Sequence, residues 1–415
     1  MQKEVYSTVQ SAENTMVLSP TGTGKTLAFA LPLVDLLDPN SNTIQALILV
    51  PSRELAIQIE QVIRNMGSGY KVNAIYGGRA VAKDKEDLKH LPAILVGTPG
   101  RVADHFRRDS FSKETIKYLV LDEFDKSLET GFETDMRKIV GRLPNLEKRI
   151  LTSATEGVQV PDFVKLKKTV TIDYLKTKRS NLVVKAVLSP TRNQGKTLVK
   201  LLNFLGDQPG IVFCNLKESV QIVSDLLNEK GIQHGCFYGG MEQRDRERSL
   251  IKFRNGTNQL IIATDLAARG IDIPEIKFII HYELPIHEEE FIHRNGRTAR
   301  VNADGTAYVL KWGGEHGKPF IDNNLPTERL DTVSERKPAY WATLFISGGR
   351  KDKISKGDVA GLFLKQGGLS KEELGVIELK SDCAFVSVPL KQTNSLIKKL
   401  NNTRLKKKKV RIEKI

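Results

Sequence analysis

The feature that most constrains this chain is a recurrent pattern of short, apolar, β-branched runs separated by segments of helical periodicity. The runs include Thr15–Leu18, Ala46–Val50, Ala93–Val96, Tyr118–Leu121 and Arg149–Leu151. A second set follows at Ile211–Cys214, Leu260–Ala263, Phe278–His281 and Ala307–Leu310. Runs with almost no polar alternation are buried on both faces, and strands joined through helices run parallel. Each half therefore reads as an open, doubly wound α/β sheet, with ligands expected at the carboxyl ends of its strands. A lysine-rich stretch, Lys165–Ser180, marks the break between the halves, and Trp312–Pro338, rich in Gly, Asn, Pro and charge, marks a second. Beyond it the pattern changes. Strands at Thr343–Ile346, Val376–Leu379, Ala384–Val388 and Val410–Ile412, with helices at Lys356–Leu364 and Thr393–Leu400, spell β-α-β-β-α-β, a small α+β domain. The expected domains are 1–172, 173–335 and 341–415.

Composition narrows the partners. The net charge is +15, and Trp341–Ile415 holds 17 Lys+Arg against 7 Asp+Glu, a balance of +10. A basic terminal module points to a polyanion, with nucleic acid first. No apolar run approaches the ~20 residues of a membrane span. The first ten residues, MQKEVYSTVQ, lack the apolar core of a signal peptide. Cys214, Cys236 and Cys383 are scattered and lack metal spacing, as expected of reduced cysteines in a cytoplasmic protein with no membrane partner.

The chemistry begins at SPTGTGKT, Ser19–Thr26, which follows a strand and opens a helix. That is the context of a phosphate loop. Gly22 and Gly24 let backbone amides approach phosphate oxygens, Lys25 reaches the β- and γ-phosphates, and the Thr26 hydroxyl holds Mg2+. Ser19 stands where a first glycine is usual. DEFD, Asp122–Asp125, ends an apolar run. Asp122 is placed to bind Mg2+, and Glu123 to orient and deprotonate a water. An acidic strand end by itself is an ordinary turn or helix cap; its place downstream of a phosphate loop gives it meaning. Ser153 and Thr155 of SAT offer hydroxyls to Asp125, which would link the nucleotide site to a nucleic-acid face. In the second half, ATDLAARGID spans Ala263–Asp272 and HRNGRTAR spans His293–Arg300. Arg297 and Arg300, three apart, are expected on one helical face, where arginine can stabilise charge on a γ-phosphate. An isolated RxxR would be only a solvated basic helix, and an isolated His293 only a packed histidine.

With PSRELA at Pro51–Ala56, the glycine pair Gly77–Gly78 and TPGR at Thr98–Arg101, these motifs occur in one order over roughly Gln2–Leu310. The chain resembles the DEAD-box RNA helicases of superfamily 2. That resemblance implies two RecA-like doubly wound parallel-sheet domains that close over ATP and single-stranded RNA. It implies RNA-facing roles for Pro51, Arg53, Gly78, Thr98, Arg101, Thr264 and Gly270. Asp272 would contact the ribose side of ATP, and His293 would take part in coupling. The phosphate loop, Thr21 and Thr23 included, would hold the nucleotide. Gln2, 23 residues before Lys25, has the spacing of the adenine-reading glutamine; the family's upstream aromatic and proline-containing segment would precede it. Two further departures stand out. Phe124 occupies a position usually held by alanine, where a phenyl overpacks unless its neighbours shrink, at a typical cost of ~1–3 kcal/mol. Asn295 and Ala299 replace the more usual Ile and Gly.

The terminal segment resembles the RNA-binding module of the bacterial DbpA subfamily, most clearly in TLFISGGRKDKISKGDVAG, Thr343–Gly361. This implies an RNA-recognition-motif-like domain that docks on a hairpin of large-subunit ribosomal RNA in pre-ribosomal particles. Phe345 and Phe385 either stack bases or pack in the core, and Cys383 stands where another aromatic is common. Arg350, Lys351 and Lys353 form a basic loop, and the run Lys406–Lys409 is read as a phosphate contact rather than a solvated tail. The function expected is an ATP-dependent, monomeric RNA helicase of ribosome assembly. The competing class is an ATP-gated RNA clamp with little turnover, which the intact Glu123, Arg297 and Arg300 disfavour; a DNA helicase fits the motif set less well.

Overall fold

A computed structural model describes residues 1–415 except 21, 130, 158, 176–180, 266–275, 299–303, 315–316, 332–335 and 337–338. Among the described residues the chain forms two compact units, Met1–Asn181 and the segment from Leu182 onward.

The first unit is built on a seven-stranded sheet in the order β3-β4-β2-β5-β6-β1-β7. Its strands are β1 (Asn14–Leu18), β2 (Ala46–Leu49), β3 (Val72–Ile75), β4 (Ile94–Gly97), β5 (Tyr118–Leu121), β6 (Lys148–Ser153) and β7 (Thr169–Asp173). Every pairing is parallel. Alternate residues of β2 enter different cores: Ala46 and Ile48 join Phe29 and Leu33, whereas Leu47 and Leu49 join Phe106 and Met136. Helices therefore cover both faces, which is why the runs show no polar alternation. Two strands were not anticipated. Asn73 interrupts β3 and meets its need by donating to the Asp87 carbonyl at 2.9 Å. The edge strand β7, TVTID, buries only Ile172 fully.

The second unit carries a six-stranded parallel sheet in the order β10-β11-β9-β12-β13-β8. The strands are β8 (Leu182–Ser189), β9 (Gly210–Cys214), β10 (Gly235–Phe237), β11 (Leu260–Thr264), β12 (Phe278–His281) and β13 (Gly305–Trp312). The edge strands β8 and β10 again escaped the sequence pattern; β10 has only three residues.

The same unit contains an antiparallel sheet in the order β15-β16-β14-β19. Here β14 is Trp341–Ile346, β15 Ile377–Leu379, β16 Ala384–Pro389 and β19 Ile412–Lys414. Leu344, Ile346, Val386 and Val388 share a core with Leu362, Phe363, Leu396 and Leu400, so the helices cover one face of the sheet. The helix at Thr393–Leu400 is as expected, and Lys356–Gly361 continues as a π-helical turn, Leu362–Gly367. Val410 lies outside β19: its amide donates to the Thr403 carbonyl at 3.0 Å. The lysine run is part of a hairpin formed by β17 (Arg404–Leu405) and β18 (Lys408–Lys409), with Lys406 at φ +56° in its turn. No helix among the described residues is long and apolar enough to cross a membrane.

Candidate nucleotide and RNA sites

The strand order of the first unit sorts the motifs into two neighbouring sets. β1, β6 and β5 end in the phosphate loop, SAT and DEFD, and β2, β4 and β3 end in PSRELA, TPGR and the glycine pair.

Gly22 and Gly24 adopt φ of +82° and +86°, a left-handed conformation that glycine takes without strain. The loop is braced from within. Ser19 Oγ lies 2.7 Å from Thr23 Oγ1, and Thr23 Oγ1 donates to the Pro20 carbonyl at 2.9 Å. Ser19, the departure from the usual glycine, is fully buried, and its amide donates to the Ser153 carbonyl at 3.0 Å. Lys25 Nζ donates to the carbonyls of Ser19 (2.5 Å) and Pro20 (3.0 Å). The helix Lys25–Asp35 has neither a side-chain cap nor an acidic residue in its first turn, so its amino end suits an anion. Gln2 lies over the loop; a Cβ at Gly24 would stand 2.6 Å from Gln2 Nε2. Thr26 occupies the first turn of the helix, and Thr21 lies outside the described residues.

Parallel register pairs Leu121 with Leu151, which brings the next residues, Asp122 and Thr152, side by side. The Thr152 hydroxyl donates to Asp122 Oδ1 and accepts from the Glu123 amide at 3.2 Å. Burial raises the Asp122 carboxyl above its usual range, against the Thr152 hydrogen bond and the Lys25 charge. Glu123 has φ +47°. A non-glycine residue held there stores roughly 1–3 kcal/mol and is a mark of functional sites. Asp125 accepts from Thr155 Oγ1 at 2.9 Å, and Ser153 Oγ accepts from the Thr155 amide at 3.0 Å. Phe124 is accommodated: it is buried within the same core as Leu121, Leu151 and Val164. Among the described residues no His, Cys, Asp and Glu cluster is large enough to hold a metal by itself. The set fits Mg2+, which typically takes one or two carboxylates and relies on substrate phosphates for the rest.

In the neighbouring set, Pro51 follows β2, and Ser52 caps the helix Arg53–Asn65 by accepting from the Leu55 amide at 3.1 Å. Gly78 has φ +80°, and the Arg53 guanidinium fills the space where a Cβ would stand. Thr98 precedes the helix Pro99–Arg107. Arg101 turns inward: Nε donates to Asp84 Oδ2 at 2.7 Å and Nη2 to the Arg79 carbonyl at 3.0 Å. Asp84, wholly buried, also meets His105 Nε2 at 3.1 Å and Arg79 Nε at 3.4 Å. The hydrogen bonds from His105 and Arg101 hold its carboxyl below the usual range against the opposing effect of burial, which is the largest single influence. Sequence reading found Arg101 but missed Asp84, which ties the glycine-pair loop to TPGR.

In the second unit Thr264 ends β11, and Asp265 follows it. The helix Glu288–Asn295 stops before Arg297, so Arg297 does not lie on it; Arg300, its expected companion on one helical face, lies outside the described residues. Arg297 instead sits in a turn, its amide donating to the Arg294 carbonyl at 3.0 Å and its Nε to the His293 carbonyl at 3.3 Å. Arg297 and His293 are both buried. The third arginine, Arg294, was missed. It donates to both carboxylate oxygens of Asp265 (2.7 and 2.5 Å), to the Glu283 carbonyl (2.7 Å) and to Asn215 Oδ1 (2.7 Å). Gly270, Asp272 and Arg300 lie outside the described residues.

On the terminal module, Phe345 and Phe385 share the sheet face opposite the core, edge to face with centroids 5.6 Å apart. Arg350 and Lys351 stand exposed in the turn Arg350–Asp352, and exposed Lys353 follows. Lys408 Nζ donates to Asp352 at 2.8 Å and Lys406 Nζ lies 3.2 Å from Asp358, so the lysine hairpin and the basic loop form one charged surface.

Comparison with known proteins agrees with this geometry. Residues 1–163 match the DEAD/DEAH box helicase family, 193–302 the helicase conserved C-terminal domain, and 343–414 the DbpA RNA binding domain. The ATP-dependent RNA helicase DbpA of Bacillus subtilis is 31% identical over 460 residues, covering 100% of this chain and 94% of that protein. The DbpA of Escherichia coli is also 31% identical, covering 99% and 93%. Among solved structures, Saccharomyces cerevisiae Dbp5 bound to RNA and ADP BeF3 superposes with a TM-score of 0.69 at 26% identity, covering 80% of this chain and 89% of that one. DEAD-box helicase Mss116 bound to ssRNA and UDP-BeF gives 0.66 at 25% identity, covering 75% and 69%. The chain belongs to the DEAD-box ATP-dependent RNA helicases and carries the DbpA RNA-binding domain after its two RecA-like domains.

Proposed function

We propose that this helicase acts as a cytoplasmic monomer that locally opens structured large-subunit ribosomal RNA in pre-ribosomal particles. The terminal module would select a hairpin of that RNA. The observation that carries the reading is the single charged surface of Arg350, Lys351, Lys353 and the lysine hairpin on a DbpA-type domain. Backbone contacts by the helicase domains are sequence-blind, so target choice falls to a module that adds phosphate attraction and base contacts.

The motif residues would then take these roles. The amides of the loop around Gly22, Thr23 and Gly24, with Lys25 and Thr21, bind the phosphates, and Gln2 and Asp272 read the adenine and ribose sides of ATP. Thr26 and Asp122 would hold Mg2+, which would supply neutralisation of phosphate charge when bound. Glu123 takes a proton from the attacking water. Thr152 fixes the Glu123 amide and the Asp122 carboxylate together, so the base is placed before substrate arrives. Arg297 and Arg300 stabilise charge on the transferring phosphoryl group. Asp125, Ser153, Thr155 and His293 relay nucleotide state to the RNA grip of Pro51, Arg53, Gly78, Thr98, Arg101, Thr264 and Gly270. An assay of strand separation on a short RNA duplex beside a ribosomal hairpin tests the reading. ATP-dependent separation that exceeds that of the same duplex beside a scrambled hairpin supports it; equal separation removes the target.

A further inference from the structure

The helix Gln2–Ser11, which carries Gln2, is fixed in place by bonds that lie outside every motif. One side of it is apolar: Val5 and Val9 are buried and share a core with Phe29 and Leu33 of the helix Lys25–Asp35. Apolar contact has no direction, so by itself it leaves a helix free to roll on its neighbour. Two hydrogen bonds oppose that roll. Glu4 and Tyr6 flank Val5 in sequence and so stand about 100° to either side of it on the helix surface. On one side the Tyr174 hydroxyl donates to Glu4 Oε2 at 2.5 Å. On the other the Tyr6 hydroxyl donates to Asp35 Oδ2 at 2.6 Å. Both acceptors are carboxylates, so both bonds are of the stronger, charge-assisted kind, and each raises its phenol above the usual pKa.

The far ends of both bonds are anchored beside the phosphate loop. Tyr174 follows β7, and its amide donates to the Leu18 carbonyl at 2.7 Å, at the last residue of β1 before the loop. Its ring packs against the core that holds Val5 and Val9. Asp35 is the last residue of the helix that Lys25 opens. Gln2 lies one turn before Tyr6 on the same side of its helix, and its Nε2 donates to the Gly24 carbonyl at 3.5 Å. A roll of about 10° would shift a side-chain tip ~6 Å from the helix axis by about 1 Å. A glutamine amide matches the N6 donor and N7 acceptor of adenine, whereas guanine presents two acceptors, O6 and N7. Discrimination between the two bases therefore depends on holding that amide still. We propose that Tyr174–Glu4 and Tyr6–Asp35 are positioning pairs for base selection: they set the roll of this helix, and with it the preference for adenine over guanine nucleotides. This rests on the reading of Gln2 as the adenine contact. Neither pair belongs to the groups assigned to hydrolysis, so its loss changes KM and base preference and leaves kcat.

The test is steady-state hydrolysis of ATP and of GTP by the full chain at saturating single-stranded RNA, read as the ratio of the two kcat/KM values. The account expects the unaltered chain to favour ATP. Tyr174→Phe and Tyr6→Phe should each lower the ratio by about threefold or more and the double variant by about tenfold or more, with kcat for ATP within about twofold. Glu4→Ala should match Tyr174→Phe and add nothing to it, whereas Glu4→Gln, which keeps an acceptor, should hold the ratio. A merely structural role would lower kcat for both nucleotides and leave the ratio alone. Gln2→Ala separates this inference from the reading beneath it. If Gln2→Ala abolishes the preference and neither Phe variant moves it, the proposal is overturned and the Gln2 contact stands. If Gln2→Ala leaves the preference unchanged, the adenine contact itself is wrong and the proposal falls with it. Losses from Glu4→Ala and Tyr174→Phe that simply add would show that the two residues do not act as a pair.

Discussion

Nε2 of His281 donates to Oδ1 of Asn295 at 3.0 Å, joining the end of β12 to the last residue of the helix Glu288–Asn295. His281 is wholly buried and its ring stacks on Phe291 at 4.8 Å. Asn295 is the position where the family usually carries isoleucine. A buried amide there would be costly without a partner, and His281 supplies one. Asn295→Ile, which restores the usual residue, should therefore destabilise the second unit by about 1–3 kcal/mol, because it leaves His281 Nε2 without its acceptor. Urea unfolding of the variant checks this.

The same pair predicts a pH dependence. Burial, aided by the Arg294 charge, lowers the His281 pKa from its ordinary 6.5 to about 3, against the hydrogen bond to Asn295. The folded state thus binds the proton less readily than the unfolded state. Its contribution to stability is present above pH ~6.5 and is lost as pH falls towards about 3, at up to ~1.4 kcal/mol per pH unit. Unfolding curves at pH 7, 6 and 5 should show a shallower acid loss in His281→Gln than in the unaltered protein. Parallel losses would mean that the site does not titrate as described.

Glu123→Gln should retain ATP and RNA binding yet lose turnover, because the amide keeps the backbone and the Thr152 contact but accepts no proton. Single-turnover hydrolysis measured alongside nucleotide affinity makes the distinction. Robust hydrolysis would take Glu123 out of the chemistry.

Thr155→Ala removes the 2.9 Å donor to Asp125. We expect ATP hydrolysis to persist within about tenfold and strand separation to fall further, since the link from β6 to β5 is cut, with a stability loss of about 1–3 kcal/mol. Measuring both activities on one preparation checks the split; an equal fall in the two would assign Thr155 to the nucleotide site alone.

Arg297→Ala should lower turnover by roughly 10³-fold if arginine-finger magnitudes apply. Because Arg297 is buried, thermal unfolding must be measured with it. A loss below about tenfold with reduced stability would make it a structural arginine like Arg294.

How much of this was legible depends on what each feature needs. Parallel interior strands announce themselves because both faces are apolar, whereas the edge strands β7, β8 and β10 keep exposed or few residues and do not. Motifs read by order were found. Residues defined by tertiary adjacency were not: Thr152 matters because of the β5–β6 register, Asp84 because three segments converge on it, and Arg294 because Asp265 and Asn215 follow the ends of the neighbouring strands β11 and β9, side by side. The aromatic pattern of Phe345 and Phe385 left base stacking and core packing both open, and no local signal showed that Arg254–Thr257 would lie on that face.

The central claim is that the helicase domains do the work and the segment 341–415 chooses the RNA. It is tested most directly by RNA-stimulated ATP hydrolysis of the full chain and of residues 1–340 against a panel of large-subunit ribosomal RNA fragments. The account predicts that one hairpin-bearing fragment stimulates the full chain well above the others, and that the shortened chain keeps basal hydrolysis without that preference. Equal stimulation of the full chain by every fragment, or an undiminished preference in the shortened chain, would contradict it.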